Sequence, residues 1–77
     1  HLVIAKVNET LFDGNAQSVT VPGAQGEMTV LANHEPLITT LKAGVIVVRH
    51  PTDAEPLQIS IEGGMLEVRK EGATILL

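Results

Sequence analysis

The stretch VPGAQGEMTVLANHEPLITTLKAG, residues 21–44, decides the fold. It opens with a Gly-x-x-Gly turn at Gly23 and Gly26. A half-alternating apolar run follows at residues 28–31, then a polar corner at 32–36, then a second apolar run at 37–41 that closes on Lys42, Ala43 and Gly44. Pro36 has no amide hydrogen to offer a helical ladder, and it holds Glu35 out of the helical region. The two turn glycines permit backbone angles that a Cβ would forbid. The spacing therefore predicts two strands joined by a stiff bend.

The same pattern extends in both directions. Residues 2–7, LVIAKV, place Leu2, Ile4 and Lys6 on one side and Val3, Ala5 and Val7 on the other. Both sides are mostly apolar, whereas a strand with one wet face would alternate. Asp13-Gly14-Asn15 is a turn signal. Val19 and Val21 then alternate with Ser18 and Thr20. Beyond the central stretch, residues 45–48 form a β-branched run. A loop bracketed by Pro51 and Pro56 has the composition of an exposed hairpin tip. Leu57, Ile59 and Ile61 alternate with Gln58, Ser60 and Glu62, so Ile59 is expected in the core. Gly63-Gly64 marks a bulge or bend, and residues 65–68 and 73–77 supply the last strands. No segment holds a helical period over ten residues. Seven to ten short strands with regular turn signals suggest a sandwich or barrel.

Composition narrows the function. Seventy-seven residues make one domain, 1–77. A chain this small buries only roughly 60% of its unfolded surface. Val, Ile and Thr supply 22 residues, and Phe12 is the sole aromatic, so the core is aliphatic. There is no cysteine to form a disulfide or a thiolate, which fits a reducing compartment. The net charge of −4 and the scattered Lys and Arg argue against nucleic-acid binding. The near absence of aromatic rings removes the platforms on which single strands stack. No apolar run approaches the roughly 20 residues of a helical membrane span. His1 in the place of Met, and the ending on Thr74-Ile75-Leu76-Leu77, suggest a piece of something longer.

Little in the chain suggests catalysis. His1, His34 and His50 lie far apart without metal-ligand spacing, so no metal site is expected. His34 reads best as a ring that pins the corner between two strands, the alternative being a contact with a partner. Ser18 and Ser60 lie on alternating strands, outside any nucleophile elbow. Gly23-Ala24-Gln25-Gly26 lacks the Lys-Ser/Thr and the following helix of a phosphate loop. No catalytic residue and no cofactor are expected. The apolar surplus at Val3, Ala5, Val7, Leu31 and parts of 45–48 points to a neighbouring subunit.

Several motifs then occur in one order: Phe12-x-Gly14; Val19-x-Val21-x-Gly23-x-x-Gly26-Glu27; His34-x-Pro36-Leu37-x-Thr39-x-Leu41-Lys42-x-Gly44; and Gly63-Gly64-x-x-Glu67-Val68. Together they resemble the N-terminal β-sandwich of the epsilon subunit of F-type ATP synthase, the delta subunit of mitochondria. The chain departs from the usual pattern at Ala32-Asn33, Ala43 and Glu62. The resemblance implies an all-β, flattened sandwich of about ten short, mainly antiparallel strands. It implies a non-catalytic central-stalk (rotor) subunit that joins gamma to the c-ring and supports coupling of proton translocation to ATP synthesis. The first strand, with Val3, Ala5 and Val7, would face gamma. Glu27, His34 and Glu35 would face the polar loops of the c-ring. The location implied is the cytoplasmic face of a bacterial inner membrane, or the matrix or stromal face of an organelle membrane, reached only through the complex. The family's C-terminal helical hairpin has no counterpart in these residues.

Two other readings compete. A lipoyl- or biotinyl-type carrier domain would be modified at Lys42, but Leu41 and Ala43 are not the flanks such a lysine has. A hydrolase using His34 and Glu35 is disfavoured, because adjacent strand residues point to opposite faces.

Overall fold

The computed structural model describes residues 1–31, 36–50 and 55–77. Seven strands account for most of them: β1 (Leu2–Lys6), β2 (Glu9–Gly14), β3 (Ser18–Gly23), β4 (Gly26–Leu31), β5 (Leu37–Arg49), β6 (Leu57–Arg69) and β7 (Gly72–Leu76). They hydrogen-bond in the order β2-β1-β7-β6-β5-β3-β4. Every neighbouring pair is antiparallel except β1 and β7, which run parallel.

The all-β reading holds, and the expected number of strands is corrected from about ten to seven among the described residues. The difference lies in β5 and β6, which are 13 residues each. Lys42-Ala43-Gly44 and Gly63-Gly64 look like terminators in the sequence, yet the backbone runs through both. Pairing proceeds from Leu37 opposite Val68 to Lys42 opposite Gly63, then resumes from Gly44 opposite Ile61 to Val48 opposite Leu57.

At that step the buried face changes side. Leu41 is buried in the first half of β5, whereas Ile46 and Val48 are buried in the second. Their numbers differ in parity, so a flat strand would send them to opposite faces. The partner strand switches in step: Ile61 is buried before Gly63-Gly64, and Leu66 and Val68 after it. The paired ribbon therefore turns over at its middle. The second half of β6 carries β7, β1 and β2 beside it. The second half of β5 carries β3 and β4. Leu2, Ile4, Leu66, Val68 and Ile75 from the first group meet Val19, Val21, Val30, Ile46, Val48 and Ile61 from the second in one apolar cluster. One continuous sheet thus folds into the two layers of a sandwich.

Pro22 lies within β3, between β4 and β5. An interior strand normally excludes proline, because the ladder needs its N–H. Here the register of β3 against β5 shifts between Thr20 and Gly23, which leaves Pro22 at an irregularity with no paired residue on that side, while on the other side it stays in register opposite Glu27 of β4. Ile4, Ile46, Leu66, Ile75 and Val21 are the largest fully buried side chains. Each such burial stabilises the fold by about 1.5–3 kcal/mol. Ile59 is only half-buried, although it packs against the cluster. Among the described residues no buried side-chain polar atom lacks a hydrogen-bond partner.

Candidate interaction surfaces

The outer face of the layer containing β7 and β1 carries unusual apolar exposure. The pairing aligns Thr40, Met65, Leu76 and Ala5 across β5, β6, β7 and β1 in one row. A second row runs Ile38, Glu67, Thr74, Val3. Ile38 is 68% exposed, Leu76 57% and Met65 48%. Val3 and Ala5 are half-buried on the same face. Val7 stands in the turn between β1 and β2 and is 93% exposed. The three positions expected to meet a partner thus lie on one strand and its turn, beside apolar neighbours that the sequence reading did not single out. Of the other surplus positions, Leu31 and Val45 are exposed, while Ile46 and Val48 belong to the core.

Polar groups edge these rows. Arg69 Nη1 donates to Glu67 Oε1 at 2.9 Å and Nη2 to Thr74 Oγ1 at 3.3 Å. Lys6 lies 3.6 Å from Glu9 across the β1–β2 turn. Such exposed pairs contribute little stability and mainly hold side chains in place.

A second surface lies at the β3–β4 turn. The Ala24 N–H donates to the Thr40 carbonyl at 2.9 Å, which ties the turn to the first half of β5. An open hollow of about 540 Å³ lies between them, bordered by residues 23–28 and 38–40. Glu27 borders this hollow, is exposed, and takes part in none of the ion pairs among the described residues. His34 and Glu35 lie outside the described residues. Ile38 separates this hollow from another of about 400 Å³ bordered by Pro36, Leu37, Glu67, Val68 and Arg69.

Among the described residues no three His, Asp or Glu side chains gather as a metal site would require. His1 Nε2 and Asp13 Oδ1 meet at 2.6 Å, but both side chains are more than half exposed. Ser18 is buried in β3, and Ser60 is exposed on β6. The carrier-domain reading is corrected by position. Lys42 sits mid-strand in β5 opposite Gly63, whereas a swinging arm is displayed at a hairpin tip.

The profile described as "ATP synthase, Delta/Epsilon chain, beta-sandwich domain" matches residues 1–77. The ATP synthase epsilon chain of Herminiimonas arsenicoxydans is 36% identical over 73 residues, covering 95% of this chain and 52% of that protein. That of Laribacter hongkongensis is 32% identical over 76 residues, covering 99% of this chain and 54% of that protein. The chain therefore spans about half the length of the curated relatives it matches. In the cryo-EM structure of the Euglena gracilis mitochondrial ATP synthase (OSCP/F1/c-ring), one chain superposes with a TM-score of 0.88 at 27% identity. The match covers 97% of this chain and 48% of that one. A chain of the Tetrahymena thermophila mitochondrial ATP synthase central stalk/c-ring structure shares the fold, with a TM-score of 0.80 at 14% identity. That match covers 97% of this chain and 60% of that one.

Proposed function

The chain belongs to the ATP synthase delta/epsilon chain beta-sandwich domain family, and on that footing we propose that it is a non-catalytic part of the central stalk, joining gamma to the c-ring. Its mechanism is packing. Gamma lies along the outer face of β1 and its neighbours, against Val3, Ala5 and Val7. The c-ring's polar loops lie at the turn end, against Glu27, His34 and Glu35. In the complex the domain sits on the cytoplasmic side of a bacterial inner membrane, or on the matrix or stromal side of an organelle membrane. It assists the coupling of proton flow to ATP synthesis without making or breaking a bond itself.

The single observation that carries this reading is the apolar row in which exposed Met65 and Leu76 stand beside half-buried Ala5 on a domain of this family. Contiguous apolar area on a small acidic domain favours a protein partner. The test is a titration of the chain against purified gamma and against a reconstituted c-ring. Saturable binding to gamma, strengthened when the ring is present, is the expected result. Failure to bind either partner would overturn the proposal.

A further inference from the structure

We infer that the free edge of β4 pairs with the same edge of a second copy of this chain, antiparallel and centred on Thr29. The inference is independent of the stalk role proposed above.

The sheet ends in β2 on one side and β4 on the other. An unpaired edge is a template for another strand, and proteins guard such edges with charges and bulges. β2 is guarded in both ways. Its register with β1 slips between Ile4 and Ala5, and it carries Glu9 and Asp13. β4 has less protection. Its six residues stay in unbroken register with β3, and Glu27 is its one charge.

Pro22 shows which backbone groups of β4 are free. Antiparallel pairs alternate between those that exchange hydrogen bonds and those that do not. Pro22 has no N–H to exchange, so its pairing with Glu27 is of the second kind. By alternation, Thr20 opposite Thr29 and Ser18 opposite Leu31 are of that kind too. Glu27, Thr29 and Leu31 therefore direct their N–H and C=O groups away from β3.

This edge is complementary to itself. Turned about a two-fold axis at Thr29, it sets Thr29 opposite the partner's Thr29 and Glu27 opposite the partner's Leu31. No like charges face each other. Half-buried Met28 meets the partner's Val30, so core-facing residues stay on one side. Thr20 Oγ1 and Thr29 Oγ1 already meet at 2.9 Å. Cross-strand threonine pairs of this kind stabilise sheets, and pairing extends the row into the second copy. Leu31, which is 59% exposed, gains cover from the stem of the glutamate across from it. Pairing covers Glu27, so it competes with the proposed ring contact and belongs to the chain outside the assembly.

The test is sedimentation equilibrium of the wild type, Thr29→Glu, Thr29→Pro and Thr10→Glu, with amide exchange on the wild type. Five residues a side make a small interface, so a dissociation constant on the order of 1 mM is expected. Thr29→Glu sets two carboxylates against each other, and Thr29→Pro removes an outward N–H that β3 does not use. Each should weaken pairing about tenfold or more. Thr10→Glu makes the same charge change on exposed β2 and should leave pairing nearly intact. Salt should strengthen pairing, because each copy carries a net charge of −4. The amides of Glu27, Thr29 and Leu31 should exchange more slowly as concentration rises. A chain wholly monomeric at the expected dissociation constant would overturn the inference. So would dimers that Thr29→Glu leaves at full strength, or dimers in which those three amides stay unprotected. Protection on adding gamma, with none in the chain alone, would give the edge to gamma and overturn the inference as well.

Discussion

Gly44 lies against the ring of Pro22: a Cβ placed on Gly44 would stand 2.9 Å from the proline Cβ and 3.0 Å from its Cγ. Gly44 is the point at which β5 resumes pairing after its face changes side. Pro22 occupies the irregularity in β3 directly across from that segment. Each residue thus suits the place for a reason the other supplies: the proline stands where β3 is out of register with β5, and the glycine leaves room for its ring.

Gly44→Ala is expected to destabilise the domain by about 1–3 kcal/mol, the range for a side chain forced into filled space. Urea denaturation measures it. In a Pro22→Gly background the same substitution should cost clearly less, because its main steric opponent is gone. Equal losses in both backgrounds would show that the two residues do not interact.

Ile46→Ala should cost about 2–5 kcal/mol, since Ile46 is fully buried and its removal leaves a cavity. Ile59→Ala, across the ladder from it, should cost less because Ile59 is half-buried. Thermal melts of the two variants give the order directly. The reverse order would mean that the inward face of β6 is misassigned.

Leu76→Asp is expected to leave the melting temperature nearly unchanged while weakening association with gamma about tenfold. Leu76 is 57% exposed, so the aspartate remains solvated in the free domain. Isothermal titration against gamma tests this. Full affinity would remove the apolar row from the gamma contact.

Glu27→Ala should change stability by no more than about 0.5 kcal/mol, as exposed substitutions generally do. Its effect is expected in the assembled enzyme, as reduced ATP-driven proton pumping in reconstituted vesicles. A loss of folding stability in proportion to the loss of pumping would count against a contact role.

The strand class was legible in the sequence because β-branched residues and turn glycines mark it locally. The position of Glu27 at a turn followed from Gly23 and Gly26 for the same reason. The length of β5 and β6 was not legible. Ala43-Gly44 and Gly63-Gly64 have the composition of a chain break, and only pairing on both sides reveals that the strands continue. The apolar row was hidden for a different reason. Leu76 meets Met65 through the pairing of β6 with β7, and Ala5 joins them only through the parallel pairing of β1 with β7, a contact between the two ends of the chain. Strand alternation shows which residues share a side of one strand, but not which strands lie next to each other. Met65 and Leu76 were not singled out, although each stands next to another apolar residue in the chain.

Since β5 and β6 run unbroken from one half of the slab into the other, no seam held by side chains alone separates the surface bearing Leu76 from the surface bearing Glu27. A twisting load applied at either end travels along covalent backbone and rungs of hydrogen bonds. For the coupling between a shaft and a ring proposed above, such stiffness is an advantage, because slip inside the part would be lost as heat before the torque arrived.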